Sequence, residues 1–498
     1  MFGSKYRALP GKVESMRADY LCTRMKNYLG QTFSLAALIL IFLTGLSLIP
    51  EGIAVAGFSL RKMDIFADIR GEIPNVKADT ATLAFLADTS ALSGVADSSG
   101  LDSLGFIPAV DSALFGRIIE DYTPGQQGLI SFFEAVEGIR RRRHTVRVAF
   151  FGDSFVEGDI LLGDLRDTLQ TAWGGQGVGY VPITSEVARF KRTLVHRYEK
   201  WNTFSIVKNH ESRQPFGING FVYRPAPAAF VHYEGADYFR HTGRWNEFRL
   251  FYRSEHAVPF VWQADSPSPQ IDTLPAGTGA LQLWRKYQPQ NPMRAVAFRI
   301  DIPDSTLALY GASLENGPGF YLDNFSVRGN TGGRLKLISP ELARQFDAFQ
   351  QYELIVVQLG LNAVTPSLNN IRWYRAELDQ TFAHIRRCFP DKPILVISVA
   401  DRAGKVNGEL TTLPSVIAIT SMQRDLARQH GFLFYDLFRG MGGAGAMIHF
   451  ANQRPALANK DYTHLTHEGG KVVGQLFARL FLEAQSRYRQ TVNTTSTK

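Results

Sequence analysis

From residue 146 onward, short apolar segments alternate with longer amphipathic ones, and this alternation limits the possible folds more than any other feature of the chain. The apolar segments resemble strands and comprise residues 146–151, 354–358, 394–399 and 432–435. The amphipathic segments are typical of helices and comprise residues 158–172, 371–387, 414–429 and 467–486. Strands that are apolar on both faces need cover on both faces, which predicts an α/β fold with a parallel sheet between helices.

A long insert interrupts this alternation. Residues 190–320 contain strand-like stretches, such as FVYRPAPAAFVHY and EFRLFYRSEHAVPFVWQA, which Pro, Gly and Asp separate. They predict an inserted all-β sandwich. Most of its aromatic side chains are expected to pack the sandwich core, with one to three left to face a ligand. The aromatic residues concerned are Trp201, Tyr223, Tyr233, Tyr238, Trp245, Phe251, Tyr252, Trp262, Trp284 and Tyr287.

The N-terminal sequence predicts a membrane anchor. Residues 32–49 are apolar and carry no charge, and six Lys or Arg residues precede them. This length suits a transmembrane helix, and the preceding positive charges predict a cytoplasmic N-terminus with the remainder in the periplasm. A cleaved signal peptide is the alternative.

The predicted organisation has six parts. The stretch Asp79–Gly105 is rich in Ala, Ser, Asp and Gly, and we expect a flexible tether there. The parts are a cytoplasmic tail (1–31), an anchor (32–50), a tether with a lead-in helix (51–140), the first α/β segment (141–189), the β insert (190–320) and the second α/β segment (321–490).

The formal charge of +8 and the pI of about 9.3 raise the question of a nucleic-acid partner. No nucleic-acid-binding motif accompanies this charge, and part of it lies in the predicted cytoplasmic tail. The charge therefore favours an anionic membrane or a cell-wall polymer as the neighbour.

Gly152-Asp153-Ser154 follows the first predicted strand, so the serine ends a strand and precedes a helix. Its hydroxyl is expected at the carboxyl edge of the sheet, where such sheets bind ligands. A serine hydroxyl becomes an effective nucleophile when a base accepts its proton. His464 can be that base, and Asp461, three residues earlier on an expected helical turn, can orient the ring.

Four motifs occur in order: Gly152-Asp153-Ser154, Gly329-Asn330, Gly360-Leu361-Asn362, and Asp461 with His464. This series resembles the SGNH (GDSL) hydrolase family, and the resemblance implies a three-layer, flavodoxin-like fold. It also implies that Ser154 is the nucleophile, that His464 is the general base and that Asp461 orients the imidazole. The implied oxyanion hole consists of the N–H groups of Ser154 and Gly329 and the side chain of Asn362. The structural alternatives are that Asn362 caps a turn and that Gly329 serves only a positive φ.

Within that family, residues 145–485 look most like bacterial peptidoglycan O-acetylesterases. The likeness rests on GDSFVEGD at 152–159, YGASLEN at 310–316 and MGG at 441–443. In that subgroup a carbohydrate-binding-like β module lies between the first two motifs, as the insert does here. The resemblance implies removal of acetyl groups from an exported polysaccharide, with peptidoglycan as the expected substrate. Phe155 and the Gly360-Leu361-Asn362-Ala363 motif depart from the usual pattern and leave the acyl group open.

Two other functions remain open. A polysaccharide O-acetyltransferase would use the same residues and take acetyl groups from a membrane acyl-donor protein. A non-catalytic glycan-binding protein would keep the fold and bind through the β insert. We expect no metal and no cofactor, because the sequence has no His, Cys and carboxylate cluster with ligand spacing and no phosphate or dinucleotide motif.

Overall fold

The computed structural model describes residues 30–35, 37–39, 54–55, 58–59, 115–212, 214–265 and 268–496. The chain divides into two compact units, residues 1–75 and 76–498. In the first unit, β1 (Ala54–Val55) pairs antiparallel with β2 (Phe58–Ser59). The elements that follow all belong to the second unit.

The prediction of a transmembrane helix over residues 32–50 is wrong, and so is the predicted single-pass location with a periplasmic catalytic part. Among the described residues, no helix is long and apolar enough to cross a membrane. The helical residues described here are 30–35 and 37–39, whereas a bilayer span needs about 20 consecutive residues. Residues 36 and 40–50, the tail at 1–29 and the predicted tether at Asp79–Gly105 lie outside the described residues. The expectation of a membrane acyl-donor partner loses its support with the anchor.

A six-stranded sheet forms the centre of the second unit. Its strands are β3 (Glu120–Asp121), β4 (Val146–Gly152), β14 (Phe320–Ser326), β15 (Tyr352–Gln358), β16 (Ile394–Ile397) and β19 (Leu433–Tyr435). Their order is β14-β4-β15-β16-β19-β3, and all neighbours pair in parallel except β3, which is antiparallel to β19. Every residue of β4 is buried, which explains why its sequence is apolar except for Arg147.

Helices cover both faces of this sheet. In the described part of the unit they are α1 (Gly128–Arg142), α2 (Leu162–Trp173), α3 (Pro340–Gln350), α4 (Ile371–Cys388), α5 (Pro414–Gln429), α6 (Leu437–Gly440), α7 (Ala446–Asn452) and α8 (His467–Ser496). Val148 and Phe150 of β4 lie beside α1, α2 and α8. The Phe151 ring points elsewhere and lies 6.0 Å from the ring of Phe389, directly after α4. Alternate side chains of one strand therefore pack against different helices.

Nine further strands form an antiparallel sheet. They are β5 (Gly179–Val181), β6 (Leu194–Ser205), β7 (Phe221–Gly235), β8 (Glu247–Arg253), β9 (Val258–Ala264), β10 (Gln270–Leu274), β11 (Gln282–Tyr287), β12 (Ala295–Ile300) and β13 (Ala308–Glu315). The order is β10-β9-β12-β7-β13-β8-β11, with β5 paired to β13 and β6 to β7. A separate hairpin joins β17 (Ala403–Val406) to β18 (Glu409–Thr412).

Aromatic contacts fold the nine-stranded sheet onto itself. Trp262 of β9 and Trp284 of β11 lie 5.8 Å apart, although their strands stand far apart in the sheet order. Phe248 of β8 and Phe298 of β12 lie 6.1 Å apart. Seven of the ten aromatic residues singled out in the sequence are buried, whereas Tyr238 and Tyr287 are largely exposed. The aromatic content of the insert therefore serves mainly as its core.

A buried ion cluster joins the two sheets. Arg147 of β4 donates to Asp323 of β14 at 3.1 Å and pairs with Glu315 of β13 at 2.9 Å. Glu315 also pairs with Arg249 of β8 at 3.3 Å. Burial alone would raise the pKa of Glu315, but the two arginines outweigh it and hold that pKa below its usual value. The cluster therefore stays charged inside the protein and connects strands of both sheets.

Replacing Arg147 by Ala should destabilise the protein strongly. The substitution leaves Asp323 and Glu315 buried without their shared cation, and removing one partner of a buried pair typically costs about 3–5 kcal/mol. Urea unfolding followed by intrinsic fluorescence measures the change. Arg299→Ala removes an exposed pair with Asp301 and should leave the unfolding midpoint unchanged. Equal midpoints for both variants would contradict the role given to the cluster.

Candidate active site

Ser154 lies in a tight turn directly after β4. A Cβ on Gly152 would lie 2.1 Å from Cγ2 of Val156, so the chain can turn this closely only with glycine there. Asp153 is fully buried, and its Oδ1 accepts the N–H of Phe155 at 2.9 Å. The turn is therefore fixed from within, and Ser154 itself stays partly accessible at the carboxyl edge of the sheet.

The predicted triad residues meet at this turn. The Ser154 hydroxyl donates to Nε2 of His464 at 3.0 Å, and Nδ1–H of His464 donates to Oδ2 of Asp461 at 2.7 Å. The other carboxylate oxygen of Asp461 accepts the N–H groups of Thr463 and His464, each at 3.0 Å. Partial burial of Asp461 opposes its ionisation, but these hydrogen bonds outweigh it and hold its pKa below the usual value. An ionised Asp461 keeps the proton on Nδ1 and leaves Nε2 free to accept one.

The loop that carries Asp461 and His464 is not the helical turn expected from their spacing. Tyr462 between them has a φ of +51°, a left-handed conformation that is uncommon for a large side chain. The N–H of Asn459 closes the loop on the carbonyl of His464 at 2.8 Å, and the N–H of Ala403 binds the carbonyl of Tyr462 at 3.1 Å. Helix α8 begins only at His467. The histidine is therefore held by a constrained loop and by the β17–β18 hairpin, which the sequence analysis did not predict.

Two of the predicted oxyanion donors are the backbone N–H groups of Ser154 and Gly329. Within the part of the chain that the structure describes, no hydrogen bond uses the N–H of Ser154 or of Gly329. Gly329 has a φ of +77°, and a Cβ there would lie 3.6 Å from Cγ1 of Val207. Gly329 is therefore favoured by its backbone conformation rather than by lack of space.

The third predicted donor, Asn362, is already engaged. It lies in the 3-10 turn Leu361–Ala363 after β15. Its Nδ2 donates to the carbonyl of Asn330 at 3.2 Å and to Oδ2 of Asp153 at 3.4 Å. Asn362 thus connects the second and third motifs to the nucleophile turn. Its role as an oxyanion donor stays a prediction and requires that it exchange one of these two bonds.

Two residues to which the sequence analysis gave no role of their own support these motifs. Asn330 is fully buried, and its Oδ1 accepts the N–H of Gly332 at 2.9 Å. Arg402 donates from one guanidinium nitrogen to the carbonyls of Leu361 and Val364, at 3.0 and 3.2 Å. Asn330 follows Gly329 directly and could have been suspected from that motif. Nothing in the sequence indicates Arg402, because its contact depends on where two distant loops meet.

Residues 301–472 match the model of the GDSL-like Lipase/Acylhydrolase family. The matched segment includes Gly329, Asn362, Asp461 and His464, but it begins within the last part of the insert, so Ser154 lies outside it. No curated protein sequence matches the chain.

Solved structures give a second comparison. One described as "Peptidoglycan O-acetylesterase in action" is similar with a TM-score of 0.60 and 19% identity, covering 74% of this chain and 99% of that one. A family two carbohydrate esterase from Cellvibrio japonicus shares 9% identity over 58% of this chain and 99% of its own, with a TM-score of 0.23. The acetyl xylan esterase AlAXEase shares 15% identity over 32% and 79%, with a TM-score of 0.24. The first similarity shows a shared fold, and the other two scores are too low to support an argument.

The contact between Asp461 and His464 predicts a sharp loss of activity in Asp461→Asn. An amide keeps the size of the side chain but cannot stabilise the imidazolium that forms when His464 accepts a proton, and the loss in kcat should be about 10³- to 10⁴-fold. Hydrolysis of p-nitrophenyl acetate measures it. Glu468→Gln, a matched change at an exposed carboxylate at the start of α8, should keep parental activity. Equal rates for the two variants would contradict a role for Asp461.

Asp153 predicts a pH dependence of stability. Burial raises its pKa to about 6 from 3.8 in an unperturbed side chain, so between these pH values the folded state binds a proton that the unfolded state releases. Stability should therefore fall as pH rises from about 4 to 6, by roughly 3 kcal/mol, and then level off. Urea unfolding from pH 4 to 7 should show this slope in the parent and a flatter one in Asp153→Asn. Parallel curves for the two proteins would rule the effect out.

Proposed function

We propose that this chain, an SGNH-type carboxylic ester hydrolase most similar to peptidoglycan O-acetylesterases, removes O-acetyl groups from a polysaccharide by Ser-His-Asp catalysis. The recognition of the family and of the enzyme class from sequence is confirmed. The observation that carries the proposed mechanism is the continuous hydrogen-bonded series of Ser154, His464 and Asp461, at 3.0 and 2.7 Å. Peptidoglycan is the first substrate to test.

In the first half of the reaction, Nε2 of His464 accepts the hydroxyl proton as Oγ of Ser154 attacks the acetyl carbonyl carbon. The carbonyl oxygen becomes an oxyanion, and the N–H groups of Ser154 and Gly329 are available to bind it. Asn362 can add a third donor by releasing Asp153, its longer contact. The tetrahedral intermediate then collapses, His464 gives its proton to the sugar oxygen, and the acetyl group remains on Ser154.

In the second half, water replaces the sugar. His464 accepts a proton from a water molecule as the water oxygen attacks the carbonyl carbon of the acetylated Ser154. His464 then gives this proton to Oγ of Ser154, which restores the hydroxyl as acetate leaves. The His464 side chain is 35% exposed and that of Asp461 is 47% exposed. Solvent therefore reaches the base directly, which favours hydrolysis over transfer to a second sugar. This exposure is our reason to prefer an esterase to an O-acetyltransferase.

The substrate proposal draws on the similarity of fold. The peptidoglycan O-acetylesterase structure is covered over 99% of its length, so the similarity extends over the entire chain of that protein. An acetylated glycan also agrees with the formal charge of +8, because many cell-wall polymers are anionic. The acetyl group and the polymer are the two parts of the proposal that need direct measurement.

Acetate release from O-acetylated peptidoglycan and from acetylated xylan tests the activity and the choice of polymer together. We expect faster release from peptidoglycan. In Ser154→Ala we expect a loss of roughly 10⁴- to 10⁶-fold, because the nucleophile is absent. Ser421→Ala, on an exposed position of α5, is the matched control and should retain parental rates.

Three outcomes would overturn parts of this proposal. Equal acetate release by the parent and Ser154→Ala would exclude Ser154 as the nucleophile. Faster release from xylan would exclude peptidoglycan as the preferred polymer. Acetylated product in the presence of a glycan acceptor, without free acetate, would assign the transferase reaction instead.

A further inference from the structure

A cavity of about 250 Å³ lies beside the nucleophile turn, between the central sheet and the nine-stranded sheet. On one side it is lined by Glu157 and by residues at the carboxyl end of β14, including Asn324 and Arg328. On the other side it is lined by β5, β6 and β7 and by Lys191 from the segment between β5 and β6. We call this space the intersheet cavity.

Several lining residues of the intersheet cavity lie close to the candidate active site in the chain or in space. Glu157 lies three residues after Ser154, and Arg328 directly precedes Gly329. Val207 lines the cavity and lies 3.6 Å from the Cβ position of Gly329. A group bound in the cavity would therefore be next to the N–H that is proposed to bind the oxyanion.

The lining of the cavity has the chemical character of a sugar site. It combines the rings of Tyr198 and Phe221 with the hydroxyl and amide groups of Thr184, Asn209 and Asn324. Rings offer faces to sugar C–H groups, and the polar groups can bind sugar hydroxyls. The volume is below the roughly 300–1,000 Å³ of sites for drug-sized ligands, which suits a single sugar residue.

One of the positively charged side chains that line the cavity has no anionic partner among the lining residues. Among the lining residues, Arg328 pairs with Glu157 at 2.6 Å, and Lys208 pairs with Glu186. Within the described residues, the Lys191 ammonium has no ion pair or side-chain hydrogen bond. Burial lowers the pKa of Lys191, although the nearby carboxylates of Asp159 and Glu157 oppose this effect.

The nearest carboxylates do not offer Lys191 a free partner. Asp159 accepts hydrogen bonds from Arg166 at 3.3 Å, from Thr193 at 2.9 Å and from Asn324 at 2.8 Å. Glu157 is held by Arg328. A partly buried cation without a partner gains most from an anionic ligand group, because little water competes for it.

We propose that the intersheet cavity binds a sugar residue bearing a carboxylate, that Lys191 pairs with this carboxylate, and that the acetyl ester is thereby presented to Ser154. The inference rests on the proposed function and narrows its substrate to acidic glycans. A singly charged carboxylate balances the one unpaired cation, whereas a doubly charged phosphate would leave one negative charge without a partner. Lys191 is a specificity residue in this account and does not touch the reacting atoms.

The test compares acidic and neutral forms of two probes, 6-O-acetyl-N-acetylmuramic acid and O-acetylated oligogalacturonate, each with its carboxamide derivative. For the parent protein we expect KM to be about 10- to 100-fold lower for at least one acid than for its amide. Lys191→Gln should abolish this difference, and Lys191→Arg should retain it. Lys208→Gln, whose cation is already paired, is the matched control and should keep it. The muramic acid probe carries its carboxylate on an ether-linked side chain, whereas the galacturonate probe carries it on the sugar ring. The two probes therefore show which of these carboxylate positions the cavity accepts.

Two readouts keep this inference distinct from the esterase proposal. The far-UV circular dichroism spectrum and the urea unfolding midpoint of Lys191→Gln should match those of the parent, which shows that the variant is folded. Calorimetric binding of the two deacetylated acids to Ser154→Ala should weaken when Lys191→Gln is added, whether or not the parent hydrolyses esters. Equal KM values for acid and amide in the parent, with both probes, would overturn the inference.

Discussion

The 3.0 Å hydrogen bond between Ser154 and His464 joins positions 310 residues apart in the chain, and the candidate chemistry depends on it. Each partner is held by its own local constraint. Ser154 is fixed by the close turn at Gly152 and by the buried carboxylate of Asp153. His464 is fixed by a loop in which Tyr462 takes a left-handed conformation. Strained backbone of this kind persists where surrounding structure overdetermines it, and it is frequent at functional sites.

The nine-stranded sheet is structurally connected to the candidate active site. The chain segment that forms this sheet lies between the first and second motifs in the sequence. If it were not firmly attached to the central sheet, the two motifs could shift relative to each other. Arg147 and its two carboxylate partners connect the sheets at β4, β13 and β14. Asp159 makes a second connection, because it binds both α2 through Arg166 and the segment before β6 through Thr193. These buried charged contacts fix the wall on which the intersheet cavity is built.

The sequence was sufficient for the parts of the fold that local pattern determines. Strands β4, β15, β16 and β19 and helices α2, α4, α5 and α8 are continuous apolar or amphipathic segments, and their predicted positions agree with the structure to within a few residues, except that α8 extends to Ser496. Helix α3 and the β17–β18 hairpin were missed. The hairpin is short and only partly buried, so its sequence carries a weak pattern. The membrane anchor was wrong because hydropathy identifies an apolar run but does not establish a helix of spanning length.

The site was predictable in its residues but not in its contacts. The order of the four motifs pointed to Ser154, Gly329, Asn362, Asp461 and His464 through a family resemblance, whereas spacing suggested a helical turn that does not exist between Asp461 and His464. The bonds of Asn362 to Asn330 and Asp153 depend on three loops meeting, and no local pattern encodes such a meeting. The unpaired Lys191 is likewise visible only once every neighbouring charge has been assigned a partner.

The most direct test of the central claim is to identify the residue that carries the acyl group during turnover. The full chain would be quenched with acid during hydrolysis of p-nitrophenyl acetate, digested and analysed by mass spectrometry. The account predicts an acetylated peptide with the modification on Ser154, and none at that position in His464→Ala. Acetylation of a different residue in the parent protein, with Ser154 unmodified throughout turnover, would contradict it.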